Sequence, residues 1–445
     1  MDVPSAGPPQ ARHSQLPGNR VAVEPPSPLS SGKGPGERHS VLYAWEFGAN
    51  LGHIGTFLPI ARTLRDRGTT VYWAVSQPHQ AARLLPQAGF DWLQAPTMPE
   101  QRREGPPLNY ADILLRFGYA NGTDLLGLVV AWRELLRLTG ARLVLADHAP
   151  TAILAARTLG IPVMLFGSGF FAPPPGHPTP NMRPWTPVAA ASLIATDQLA
   201  LASINAVLQR YDRPQLDTLA QLFQVAENSL LSFPELDHYP ARGPARYWGM
   251  LPAAVAADSA WPAVPGPRVF SYLRPETPHL EAALLALHEL PGSVLIYAPG
   301  LPAELVQRYA APHFAFSPMP VDLNKVARQA DAGLTYASPA ATVAFLMAGK
   351  PVLMIPGHLE QFLFARRVEE MGAGLIQNPE LPPHGLAAML QRVLREPGFR
   401  DNAAAFAAKY ANFDQNAVMT HIVARIEELA DAKATNANAN AGAQP

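Results

Sequence analysis

The chain contains no cysteine. Disulfides, a thiol nucleophile and a cysteine-ligated zinc are therefore excluded, which is compatible with the cytoplasm. Charge is sparse: 16% of the 445 residues are charged, and the formal net charge is −1. Bulk electrostatics offer nothing to attract nucleic acid. No apolar run approaches the roughly 20 residues of a membrane span, so any membrane contact is expected to be peripheral. The N-terminus lacks the apolar segment of a secretory signal, and the expected location is cytoplasmic. Asn121-Gly122-Thr123 is a glycosylation sequon by letter only. The histidines are scattered and form no helical pair beside a carboxylate, so no metal is expected. Gly349-Lys350-Pro351 lacks the Ser/Thr of a phosphate loop. Oligomeric state is left open.

What remains is apolar. Hydrophobic residues make up 48% of the chain, enough for two cores of ordinary domain size. In residues 1–38, 18 positions are Pro, Gly or Ser, which reads as a disordered leader. A first domain is expected over 39–250. It opens with a strand over Ser40–Trp45, a Gly-rich loop through Gly55 and a helix over Thr56–Arg67. Strands over Val71–Val75, Leu143–Asp147 and Ile161–Phe166 follow, with helices between them. This alternation predicts a parallel sheet covered by helices, an α/β fold. Helices are also predicted over 187–210 and 216–225.

Residues 251–267 are rich in Ala and Pro and read as a linker. A second Rossmann-like set occupies 268–405, and an amphipathic helix lies within 406–432. The Asn-Ala tail, 433–445, is low in complexity and reads as disordered.

The stretch Asp331–Gly374 carries the most information. It reads as a strand ending at Thr335, a sharp loop, a helix, a strand over Pro351–Ile355 and another loop. Ser338 suits a helix N-cap, Pro339 the first helical position and Gly349 the C-terminal cap. A helix N-terminus at the carboxyl edge of a parallel strand can hold a pyrophosphate.

This stretch resembles the sugar-donor motif of the UDP-glycosyltransferase superfamily, including its bacterial members. Ala348-Gly349-Lys350-Pro351, then Pro356, Glu360 and Gln361, and Gly372-Ala373-Gly374 match at the family's spacing. The loop before them departs from it. Tyr336 stands where the family has its phosphate-binding His, and Ser338 stands where it has Gly. The resemblance spans about residues 40–430. It implies a GT-B fold: two facing Rossmann-like domains whose last helix crosses back to the first. It also implies inverting hexosyl transfer from a UDP- or dTDP-linked sugar to a small acceptor. No cofactor is implied beyond that co-substrate, and no metal.

Four sets of residues could carry this chemistry. His53 follows Gly52 in the first Gly-rich loop. Its ordinary pKa near 6.5 suits a general base, although a His bonded to turn backbone would look the same. Asp147 ends a buried strand, where it could orient that His or cap the next helix. His148 is expected to point the other way. Glu360 and Gln361 could bind sugar hydroxyls or simply begin a helix. Tyr336, Ser338, Ala340 and Ala341 form the pyrophosphate loop. The resemblance assigns the base to His53, its partner to Asp147 and the sugar contacts to Glu360-Gln361. It places the acceptor near 170–230, where apolar side chains suggest a lipophilic or aromatic molecule, and the base site near Phe316–Val321. The alternative is a non-catalytic binding or partner subunit of the same fold with a degenerate sugar-donor site. An epimerase would need further carboxylates that the sequence does not place.

Overall fold

Every strand pair in the two large sheets is parallel, as expected where helices cover both faces. The computed structural model describes residues 39–48, 51–243, 245–251, 260–383 and 385–441. The leader 1–38, most of the expected linker (252–259) and residues 442–445 lie outside the described residues.

The first sheet comprises β1 (Ser40–Trp45), β2 (Thr70–Val75), β3 (Leu93–Gln94), β4 (Leu143–Asp147) and β5 (Val163–Leu165), in the order β3-β2-β1-β4-β5. Strands β6 (Ser229–Leu230) and β7 (Arg246–Tyr247) form a separate small pair. The second sheet comprises β8 (Arg268–Tyr272), β9 (Ser293–Tyr297), β10 (Phe314–Ser317), β11 (Ala332–Thr335), β12 (Val352–Met354) and β13 (Gly374–Ile376), in the order β10-β9-β8-β11-β12-β13.

Each sheet therefore has one place where the strand order reverses. In the first it lies between β1 and β4, and in the second between β8 and β11. Ligands of open α/β sheets bind outside the carboxyl ends of the strands at such points. Register brings Trp45 opposite Asp147 in the first sheet and Tyr272 opposite Thr335 in the second.

The two domains pack together through aromatic and polar contacts. The Trp185 and Phe362 rings lie 5.1 Å apart, and Tyr410 donates to Glu235 at 2.7 Å. The last helix, Gln415–Ala441, crosses back as expected. Its Ile422, Val423, Ile426 and Leu429 are buried against Val41, Tyr43 and Leu145 of the first sheet. This helix continues through the Asn-Ala segment assigned above to a disordered tail, where alternate alanines favour helix.

Three further expectations change. The Thr56–Arg67 helix begins earlier, at Leu51, and includes Pro59. Residues 216–225 contain only a short 3-10 turn, Leu219–Phe223. Among the described residues, one helix is long and apolar enough to cross a membrane, Ala190–Arg210. It packs on the Tyr110–Leu115 and Gly122–Thr139 helices. Its buried Asp197 accepts from Thr179 N at 2.7 Å and Asn109 Nδ2 at 3.0 Å.

Candidate active site

The first reversal point holds a hydrogen-bonded His–Asp pair. His53 lies in the first turn of the Leu51–Asp66 helix rather than in the loop before it. Its Nδ1 is 2.8 Å from Asp147 Oδ2 at the end of β4. Asp147 is 5% exposed, whereas His53 is 23% exposed and so remains reachable. The same Oδ2 accepts from the Tyr43 hydroxyl at 2.6 Å. Trp45 stacks on the imidazole, with ring centres 4.9 Å apart, and is fixed by its own bond to Phe47 O at 2.7 Å. The carboxylate does not cap the following helix. Glu46 does this instead, accepting from Thr151 N at 2.9 Å.

Two glycines give this pair its room. A Cβ on Gly167 would lie 2.6 Å from Asp147 Oδ1, and one on Gly48 would lie 2.8 Å from His53 Nε2. Both have left-handed φ values, +143° and +101°, which a side chain would strain.

The electrostatics follow from these contacts. Burial disfavours the His53 imidazolium, but the charge and hydrogen bond of Asp147, with help from Glu360, outweigh it and raise the pKa above 6.5. Burial, reinforced by Asp147, keeps the Tyr43 phenol protonated far above its usual range. Burial also pushes Glu46 up to about 8, despite its bonds to the Thr151 region.

His148 follows at a left-handed φ of 48°. Its ring stacks on Phe171 at 5.4 Å and meets Phe47 edge-on at 5.3 Å. Burial lowers its pKa to about 4. His148 Nε2 and the Tyr110 hydroxyl are buried without a hydrogen-bond partner among the described residues. Phe170 and Phe223 pack beside Tyr110.

Glu360 opens the Leu359–Glu370 helix of the second domain and reaches across to the first. Ser168 Oγ, just beyond β5, donates to Glu360 Oε1 at 2.6 Å. Burial opposes its ionisation, yet His238, Ser168, His148 and His358 hold its pKa below the ordinary value. Gln361 Oε1 is engaged by Gly357 N at 2.8 Å.

At the second reversal point, Tyr336 N donates to Tyr272 O at 3.1 Å. Ala337 takes a left-handed φ of 60°, unusual for a residue with a Cβ, and Thr335 Oγ1 accepts from its N–H at 3.2 Å. Ser338 occupies the N-cap position of the Pro339–Met347 helix, but its hydroxyl makes no capping bond. Ala340 and Ala341 lie in the first turn, where backbone N–H groups have no partner within the helix. Arg274, beyond β8, lies over the Tyr336 ring at 5.4 Å. Phe316 packs on Phe314 at 5.4 Å, while Met319 is exposed. Among the described residues, no cluster of His, Asp and Glu is placed to hold a metal ion.

The structure thus brings His53 and Asp147 into contact and sets Glu360 at the domain junction. Sequence reading missed Tyr43, Trp45, Glu46, Ser168 and Arg274. A glutamate directly after a strand and before a Gly-rich loop was the available signal for Glu46.

No protein-family model matches the chain. Over 408 residues it is 24% identical to the PGL/p-HBAD biosynthesis glycosyltransferase of Mycobacterium tuberculosis, covering 85% of this chain and 91% of that protein. It superposes on the glycosyltransferase VinC, solved with dTDP, at a TM-score of 0.62 and 18% identity, covering 88% of this chain and 99% of the other. The spinosyn rhamnosyltransferase SpnG gives 0.60 at 17% identity, covering 88% and 100%. SpnG has also been solved with thymidine diphosphate and with the spinosyn aglycone. These likenesses establish the GT-B fold.

Proposed function

We propose that this chain, which has the GT-B fold of the glycosyltransferases VinC and SpnG, moves a hexose from a nucleotide-diphosphate sugar to a small aromatic or lipophilic acceptor, with inversion. The observation that carries this reading is the 2.8 Å contact between His53 Nδ1 and Asp147 Oδ2 at the first reversal point. With Nδ1–H directed at the carboxylate, the lone pair of Nε2 is free to take a proton. The acceptor hydroxyl gives that proton to Nε2 as its oxygen attacks the anomeric carbon. The bond from that carbon to the diphosphate oxygen breaks on the opposite side, and the nucleoside diphosphate leaves. A single in-line displacement inverts the anomeric centre. Asp147 stabilises the imidazolium formed in this step.

The remaining roles follow the same reading. Glu360 and Gln361 hold sugar hydroxyls. Ser338 and the N–H groups of Ala340 and Ala341 hold the pyrophosphate beside Tyr336. Support for an aromatic acceptor comes from the rings around His148. Tyr110 OH and His148 Nε2, buried and unpartnered, suit a polar group on that acceptor. The sugar is UDP- or dTDP-linked in this reading, and the thymidine diphosphate bound in VinC and SpnG supports the dTDP-linked form. The expected setting is cytoplasmic.

Tyr336 is the observation that favours the second reading, a non-catalytic partner with a degenerate site, because it carries no positive charge. A calorimetric panel of nucleotide sugars against wild type and Gln361→Ala separates the two. Saturable binding weakened in Gln361→Ala, with turnover abolished in His53→Ala, is the expected result. NMR of the product should then show the inverted anomer. Absence of binding by any nucleotide sugar to folded protein favours the partner reading.

A further inference from the structure

Arg274 is a cation with no anionic partner among the described residues. It lies two residues past β8, whose neighbour at the reversal of strand order is β11, the strand that leads to Tyr336. Its guanidinium carbon lies 5.4 Å from the Tyr336 ring centre and 5.9 Å from that of Tyr272. Nη2 donates to the Tyr272 hydroxyl at a long 3.3 Å. Nε is buried and has no hydrogen-bond partner among the described residues. Among the described residues no carboxylate pairs with it, although the buried Arg242 of the first domain pairs with Asp237. The groups facing Arg274 are the phenols of Tyr272, Tyr297 and Tyr336. Burial opposes its charge, while interactions with the Tyr336 and Tyr272 hydroxyls favour it, so the guanidinium stays ionised; these phenols are neutral and leave its charge without a counterion.

A partly buried guanidinium with unused N–H groups is costly unless something negative completes it. Its flat fork matches two phosphate oxygens at once, which a point charge cannot do. It also stands at the carboxyl ends of the two strands where this kind of sheet takes its ligand.

We propose that Arg274 grips the pyrophosphate of the nucleotide sugar, with Tyr336 as the ring that holds the guanidinium in place. The positive charge missing at position 336 is then supplied from the neighbouring strand. The loop is rewired rather than degenerate, and Tyr336 is the partner that the new arrangement requires. This proposal rests on the nucleotide-sugar reading given above.

The test is calorimetry with UDP and uridine, and with dTDP and thymidine, on full-length protein. Wild type should bind one diphosphate more tightly than its nucleoside. Arg274→Ala should weaken the diphosphate by about 10- to 100-fold, the range for a lost charge-assisted contact, and leave the nucleoside unchanged. Arg274→Lys should fall between the two. Adding Tyr336→His to Arg274→Ala should restore part of the loss, because it returns a protonatable ring to the loop. Arg274→Gln replaces the alanine variant if melting shows the latter unfolded. Equal diphosphate affinity in wild type and Arg274→Ala overturns the proposal and leaves the nucleotide-sugar reading intact. Equal weakening of diphosphate and nucleoside also overturns it, since it marks a packing role. Wild type that binds no diphosphate overturns both readings together.

Discussion

A Cβ atom on Gly48 would stand 2.8 Å from Nε2 of His53, the nitrogen proposed to take the proton. Gly48 also has a φ of +101°, so Gly48→Ala adds backbone strain to the clash. Gly68 provides the control, with a similar φ of +92° and open space around its Cβ position. Both alanine variants should lose about 1–3 kcal/mol of stability from strain. Only Gly48→Ala should also lose most of its turnover. Equal turnover in the two variants would show that Nε2 needs no clearance there.

The strands were the most legible part of this chain. Ser40–Trp45, Leu143–Asp147 and Ala332–Thr335 stand where the apolar runs put them, because buried parallel strands read as continuous hydrophobic segments. Helix starts were less legible. The glycines up to Gly55 read as a loop, yet the helix reaches back to Leu51 and carries His53 in its first turn. The candidate site was legible only in part. His53, Asp147 and Glu360 could be named from motif spacing. Tyr43 and Arg274 could not, because each meets its partner through register between strands far apart in sequence. Tyr43 reaches Asp147 across 104 positions, and Arg274 meets Tyr336 across the β8–β11 pair. Spacing along one chain carries no mark of such contacts.

The His53–Asp147 pair sets the pH dependence of the proposed reaction. A base must be neutral to accept a proton, so kcat/KM should rise with pH. The midpoint should lie above 6.5, because Asp147 raises the imidazole pKa. In Asp147→Asn the charge is gone and burial dominates, so the midpoint should move to lower pH. The plateau should drop by about 10²- to 10⁴-fold as the ring loses its orienting partner. A pH profile of both proteins checks this. An unchanged midpoint in Asp147→Asn would mean that the carboxylate does not govern the ring.

Glu46 makes a separate prediction about stability. Its pKa is 4.5 in an ordinary setting and about 8 in the fold, where burial dominates. The unfolded chain therefore releases this proton earlier than the folded one. The stability contributed by protonated Glu46 is fully present below about 4.5 and is lost as the pH rises through about 8. Glu46→Gln keeps an oxygen for Thr151 N and never ionises. Melting temperatures of the two proteins should diverge in favour of Glu46→Gln between pH 5 and 8. Parallel curves across that window would show that Glu46 is ionised in the fold.

Ser168 ties the sugar end of the proposed site to the first domain, through its 2.6 Å bond to Glu360 Oε1. That bond is one of the interactions that lower the Glu360 pKa, against burial, which raises it. Ser168→Ala should therefore raise the pKa of Glu360 and free its carboxylate to turn away from the cleft. If Glu360 holds sugar hydroxyls, KM for the nucleotide sugar should rise by about 10-fold, as for a lost bond to a charged group. Affinity for the nucleoside diphosphate alone should not change, because that ligand carries no sugar to place. Steady-state kinetics with the nucleotide sugar, alongside calorimetry with the diphosphate, separates the two effects. A parallel fall in both would put Ser168 in domain packing, because a loosened junction would weaken every ligand of the cleft alike.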